Sequence, residues 1–206
     1  MKISVFYHVF QAPGWEYIYQ SQIHRLHSSG LVKNANHLFI GVAGKEPLPY
    51  IPKKANVKHH SDCSSEAPTL CDLHAQSMQN TDDGIVMYIH TKGVHNKSLQ
   101  TDAWRLYMEY FLIDKWRSCA DLLNSHPCVG VQLNTNPCFH YSGNMWWAQS
   151  KHIRNLPSPC GESRSGCEFW ICSSFSAGTD KPYCMHMPPD GMNLYHSIIQ
   201  PKHYMD

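Results

Sequence analysis

Gly84-Ile85-Val86-Met87-Tyr88-Ile89-His90-Thr91-Lys92-Gly93 is the stretch whose reading decides the fold. From Ile85 to Ile89 every side chain is apolar or aromatic, with no alternation of polar residues. A strand over Ile85–Thr91 must therefore be covered on both faces, as in the parallel sheet of an α/β domain. Asp82-Asp83-Gly84 supplies turn chemistry before it. After it, Lys92 to Gln100 reads as a polar loop.

Working upstream, Ala55 to His60 is a weaker strand, and Ser65-Glu66-Ala67-Pro68 opens a helix that runs to about Gln79. His37-Leu38-Phe39-Ile40-Gly41-Val42-Ala43-Gly44 is a short apolar run ended by glycine, another buried strand. Trp15, Ile18, Tyr19, Ile23 and Leu26 recur at helical spacing, with Gly30 where a C-terminal cap belongs. Lys2 to Phe10 is almost wholly apolar and reads as the first strand.

Downstream, Asp102 to Asn124 carries the longest helical pattern, with Trp104, Tyr107, Met108, Phe111, Leu112 and Trp116 along one face. Val129 to Leu133 and Asn144 to Ala148 read as strands, and Ser150 as the cap of a short helix over Lys151 to Asn155. Beyond Pro157 the chain is rich in loop signals. The alternation of strands and helices predicts a three-layer, Rossmann-like α/β domain with a mainly parallel central sheet flanked by helices. Ligands of such sheets gather at the carboxyl ends of the strands. Those ends are Tyr7-His8, Gly41 to Gly44, His90-Thr91-Lys92 and the residues after Leu133.

At 206 residues the chain is expected to form one domain over 1–206. It is 42% hydrophobic and 16% charged, enough to bury a core and too apolar for a disordered chain. A net charge of +1 argues against binding nucleic acid or an anionic membrane through bulk electrostatics. No stretch approaches the roughly 20 apolar residues of a membrane helix. The first residues lack a small-residue cleavage site, so a reducing, cytoplasmic compartment is expected. The nine cysteines, odd in number and without a C-x-x-C pair, suggest neither a disulfide framework nor a zinc knuckle.

Three constellations stand where chemistry is expected. His90-Thr91-Lys92-Gly93 suits a diphosphate, since the lysine brings a point charge and the glycine a close backbone. Its plain alternative is a turn with a solvated lysine. Phe139-His140-Tyr141-Ser142-Gly143-Asn144-Met145-Trp146-Trp147 mixes hydrogen-bonding groups with rings, as sugar binding demands. Equally, it is a turn entering a buried strand. In Gly166-Cys167-Glu168-Phe169-Trp170-Ile171 one carboxylate sits among apolar residues, where desolvation raises a pKa and suits general-base work. A helix cap is the competing reading. His59-His60, His186 and His196 with Cys184 are candidate metal ligands, but without a ligand-type spacing.

Together these motifs resemble a family of small GT-A-type glycosyltransferases of bacteria, phages and large DNA viruses, including those of chlorella-virus capsid-glycan synthesis. The likeness rests on Ile3 to His8, Glu66 to Leu70, Tyr88-Ile89-His90-Thr91-Lys92-Gly93-Val94, Trp104 to Phe111, His140-Tyr141-Ser142-Gly143-Asn144-Met145-Trp146-Trp147-Ala148 and Glu168 to Ile171. It implies a nucleotide-binding half over 1–100 and an acceptor half over 101–206. It also implies transfer of a hexosyl unit from a nucleoside diphosphate sugar, a uridine diphosphate sugar foremost, to a glycan or glycosylated acceptor. A non-catalytic module binding nucleotide-sugar or glycan is the alternative. By the same resemblance Tyr7 and His8 lie near the base or ribose, Glu66 and Thr69 under the nucleotide, and His90, Thr91, Lys92 and Gly93 against the diphosphate. His140, Ser142, Gly143, Asn144 and Trp146 would serve the acceptor or sugar, and Glu168 would deprotonate the acceptor hydroxyl in an inverting reaction. GT-A enzymes place an Asp-x-Asp motif that holds Mn²⁺ where this strand ends His90-Thr91-Lys92, and this sequence has no Asp-x-Asp. Either Lys92 neutralises the diphosphate, or His90 binds a metal with His186 or His196.

Overall fold

The computed structural model describes residues 1–60, 65–80, 82–161, 163–176 and 181–205. Its elements are β1 (Lys2–Phe10), α1 (Trp15–Ser28), α2 (Leu31–Asn34), β2 (His37–Ala43), β3 (Ala55–His59), α3 (Ala67–Gln79), β4 (Gly84–His90) and α4 (Leu99–Glu109). A π-helical segment (Tyr110–Asp114) leads into α5 (Trp116–Leu122), β5 (Cys128–Gly130), β6 (Leu133–Asn134), β7 (His140–Tyr141), β8 (Trp146–Gln149), α6 (Ser150–Arg154), α7 (Arg164–Trp170), β9 (Tyr183–Cys184) and a 3₁₀ turn (Pro201–His203).

The central sheet has seven strands in the order β3-β2-β1-β4-β8-β5-β9. The pairs β1–β2, β1–β4, β2–β3 and β5–β9 are parallel, whereas β8 runs antiparallel to both β4 and β5. The fold is thus α/β with a mainly parallel sheet flanked by helices, and the sheet is continuous across the division at residue 100. Strands β6 and β7 pair separately. None of the helices is long and apolar enough to cross a membrane, among the described residues.

Burial on both faces explains the unbroken apolar runs. On one face Val5, Tyr7, Val9, Met87 and Ile89 pack with Trp15, Tyr19 and Leu26 of α1 and Trp104 and Tyr107 of α4. On the other, Phe6, Val86, Tyr88 and Trp146 pack with Leu70 and Leu73 of α3, Ile153 of α6 and Trp170 of α7. The chain leaves β1 through α1 to β2 on one side and returns through α3 to β4 on the other. The gap between the ends of β1 and β4 is therefore the topological switch point, where open α/β sheets bind ligands.

Several elements differ from the sequence expectation for identifiable reasons. The helix expected over Asp102–Asn124 is interrupted: Trp147 Nε1 from the sheet donates to Leu112 O at 2.8 Å, and Lys115 N bonds back to Tyr110 O at 3.1 Å. A side chain taking a carbonyl out of the helical ladder is a known cause of such a break. The strand expected to Leu133 stops at Gly130, because Gln132 turns with φ +52° and pairs with His186 O instead. Helix α7 emerges from the loop-rich end, capped by Ser163 Oγ, which accepts from Gly166 N at 3.1 Å. Ser150 begins α6 without acting as its cap, since the chain passes from β8 directly into the helix. Cys71 and Cys160 form one disulfide, a pairing that the scattered cysteine spacing does not reveal, and Cys63 lies outside the described residues.

Candidate functional site

Two adjoining hollows open at the switch point. One, of about 330 Å³, is lined by His8 and Phe10 from the end of β1, His90 to Asn96 from the end of β4, and Trp104 of α4. The other, of about 490 Å³, is lined by Gly143, Asn144, Ser165 and Glu168. Glu66, His90, Lys92, Arg164 and Tyr195 border both, so they form one crevice with two arms.

The strand ends are locked to each other at Thr91. Its amide donates to His8 O at 3.0 Å, and its hydroxyl accepts from Phe10 N at 2.9 Å. The chain then turns tightly, with Lys92 N donating to His90 O at 2.7 Å and Gly93 at φ +93°. This turn projects Lys92 into the crevice, where its ammonium stands 3.7 Å from the centre of the Trp104 ring. Tyr195 meets the same indole edge-on at 4.8 Å. Among the described residues Lys92 Nζ has no hydrogen-bonding or ion-pair partner. Burial pulls its pKa down to about 8, against the opposing pull of Glu168 and Glu66 and with the help of Arg164.

The two carboxylates are held very differently. Glu66, at the start of α3, accepts at Oε2 from Tyr88 OH at 2.9 Å and from Asn144 Nδ2 at 2.6 Å, while Oε1 lies 3.5 Å from His90 Nδ1. Burial raises its pKa, but its surroundings, His90 foremost, outweigh that and hold it below the usual carboxylate value. Glu168 makes a single bond, Oε1 accepting from Gly143 N at 2.7 Å, and its second oxygen has no partner among the described residues. Gly143 joins both sides: its carbonyl accepts from His90 Nε2 at 2.8 Å while its amide holds Glu168. Its φ of +94° aims the two groups in these directions.

His8, Glu66, His90, Thr91, Lys92, Gly93, Gly143, Asn144 and Glu168 thus meet at one crevice. Tyr7 does not. It points to the α1 face, fully buried, and its hydroxyl donates to Gln22 Oε1 at 2.7 Å. Thr69 is enclosed against His8 Nδ1 at 2.8 Å, and burial lowers the pKa of that imidazole to about 4. Thr69 faces instead a hollow of about 310 Å³ between α3 and the middle of β2 and β3, where Lys58 and Asp72 neutralise each other at 2.5 Å. His140 and Ser142 are buried beside β6, their polar atoms taken by Cys138 O and Asn134 Nδ2. Trp146 is core and braces Asn144, donating from Nε1 to Oδ1 at 2.9 Å. Glu168 lies within α7 and not at its start, with its carboxylate turned to the crevice.

The metal candidates are dispersed. His186 bonds Tyr107 OH and stacks on Phe111, and His196 is exposed on the C-terminal segment. Both nitrogens of His90 are already directed at Gly143 O and Glu66. No group of three or more His, Cys, Asp or Glu gathers as a metal site among the described residues. The crevice does not fit the Mn²⁺ implied by the GT-A resemblance. The sequence reading missed Arg164, Tyr195 and the crevice role of Trp104. Only the last left a sequence signal, as a tryptophan on the helix after the Lys92 loop.

No curated protein matches the chain. Among solved structures, the bifunctional IspDF from Campylobacter jejuni is similar with a TM-score of 0.49 and 7% identity, over 90% of this chain and 50% of that one. The chain spans half the length of that protein, and a likeness at this level carries no functional argument. The model of a family described as a domain of unknown function (DUF8361) matches residues 6–165.

Proposed function

The chain belongs to this family of domains of unknown function (DUF8361), and we propose that its crevice binds a nucleoside diphosphate sugar, a uridine diphosphate sugar foremost, and transfers the sugar to a hydroxyl of a glycan acceptor. The observation that carries the reading is Lys92. It is a partly buried ammonium at the switch-point end of β4, across from Glu168, and among the described residues it has no ion pair and the second oxygen of Glu168 has no partner.

In this reading the arm between β1 and β4 takes the nucleotide, and the arm beside Gly143 and Glu168 takes the acceptor. Glu168 accepts the proton of the acceptor hydroxyl. The hydroxyl oxygen bonds to the anomeric carbon as the bond from that carbon to the β-phosphate oxygen breaks. The electron pair leaves with the diphosphate, whose growing charge faces Lys92. A single displacement inverts the anomeric centre. Glu66 is the poorer base, because hydrogen bonds and His90 occupy its oxygens. It holds His90 and Asn144 in place.

Thermal-shift titration with uridine, guanosine and cytidine diphosphate sugars tests the reading. A rise in melting temperature with one of them is expected, lost in Lys92→Ala and kept in Glu168→Gln, which binds donor but no longer transfers. No shift with any donor overturns the proposal. Donor binding without transfer or hydrolysis across a broad acceptor panel identifies a binding module instead.

A further inference from the structure

Two cations, Lys92 and Arg164, share the crevice with the carboxylates Glu66 and Glu168, yet neither cation is ion-paired among the described residues. Arg164 is the first residue of α7, and its side chain borders both arms together with Lys92. It has no ion pair among the described residues, although Glu168 stands one turn further along the same helix. Three other arginines are matched, Arg25 with Asp114 at 2.6 Å, Arg105 with Asp102 at 2.9 Å and Arg154 with Asp83 at 3.0 Å, while Arg117 lies over the Trp116 ring. Arg164 also disfavours the charge on Lys92, an effect smaller than the attraction of Glu168 and Glu66. Like charges brought together over an open hollow are stabilised by an anion placed between them.

The carboxylates point the same way. A divalent ion needs several free oxygen ligands. Here Glu66 is engaged by Tyr88, Asn144 and His90, Glu168 keeps one oxygen unpartnered among the described residues, and the end of β4 presents an ammonium where a ligand would stand.

We propose that Lys92 and Arg164 form a two-cation clamp that holds the diphosphate and replaces a divalent metal, the lysine as a point charge and the guanidinium as a bidentate fork. The clamp rests on the reading of the crevice as a nucleoside diphosphate sugar site. Trp104 fixes the lysine from one side and Tyr195 closes the rim, so the anion enters between α7 and the turn after β4.

Calorimetry on the full chain in EDTA, with inorganic pyrophosphate, a uridine diphosphate sugar and uridine monophosphate, separates the possibilities. Both diphosphates are expected to bind without metal. Arg164→Ala should weaken them by about tenfold or more while affecting the monophosphate less, and Arg164→Lys should recover part of the loss. Arg164 is exposed, so its replacement leaves the core intact. Diphosphate-sugar binding that is unchanged in Arg164→Ala, or that requires Mn²⁺, overturns the clamp and leaves the donor reading standing. Pyrophosphate binding that depends on Arg164, with no response to any nucleoside diphosphate sugar, keeps an anion clamp and overturns the donor reading. Absence of binding by all three ligands overturns both.

Discussion

Replacing Gly143 with alanine should damage the crevice more than the fold. Two costs add. At φ +94° an L-residue is strained, by roughly 1–2 kcal/mol. The new Cβ would also stand 2.7 Å from Met108 Sδ and 3.1 Å from Lys92 Cε. Met108 is enclosed in the core and must repack, and Lys92 must shift against the Trp104 ring it faces at 3.7 Å. Overpacking of this kind typically adds about 1–3 kcal/mol. The sum is roughly 2–5 kcal/mol, or a fall of about 4–20 °C in melting temperature at ~2–4 °C per kcal/mol for a chain of this size. Gly191→Ala is the control: its φ is +76° and nothing lies within 4 Å of the new Cβ, so it reports the backbone cost alone. Thermal unfolding of both variants and pyrophosphate titration of Gly143→Ala are the assays. If Gly143→Ala melts no lower than Gly191→Ala and binds pyrophosphate as the parent does, Gly143 is not the joint between His90, Glu168 and Lys92.

Anion binding should respond to pH through Lys92, which faces Glu168, Glu66 and Arg164 and whose pKa is drawn down to about 8. Affinity should be flat below that value and weaken by up to about tenfold per unit above it; a flat profile to pH 10 would count against Lys92 as the anion ligand. Stability should fall on the acid side through His8. Its folded pKa of about 4 lies below the unfolded 6.5, so the unfolded chain binds the extra proton in that window. Stability is therefore full above about pH 6.5 and is lost toward pH 4 by up to ~1.4 kcal/mol per unit. Denaturant titrations at pH 7 and 5 should show a smaller loss in His8→Gln, and an equal loss in both proteins would remove His8 as the cause. Glu109→Ala should cost about 3–5 kcal/mol, because the buried carboxylate that receives Gln22 at 2.9 Å and Arg25 at 3.1 Å also faces the enclosed Arg105. Chemical denaturation measures it, and a loss below 1 kcal/mol would mean these cations find other partners.

The amino-acid sequence by itself determined the strands β1, β2 and β4, the helices α1 and α3, and the polar turn at His90-Thr91-Lys92 where a ligand would be sought. Each is written locally, in an apolar run, a helical spacing or a glycine and proline at the right end. Where both sides of a strand are buried, no alternation of polar residues tells which side a residue faces. Tyr7 and His8 were therefore indistinguishable until pairing with β2 and β4 sent Tyr7 to α1 and His8 to the crevice. The reversal of β8, the break after α4 and the arrival of α7 beside β4 all depend on contacts between residues far apart in the chain. Glu168 meets Gly143 across 25 positions, and Asn144 meets Glu66 across 78. Arg164 had no local signal at all. Only tertiary packing could bring it beside Lys92, because a charge becomes a binding group through what stands next to it in space.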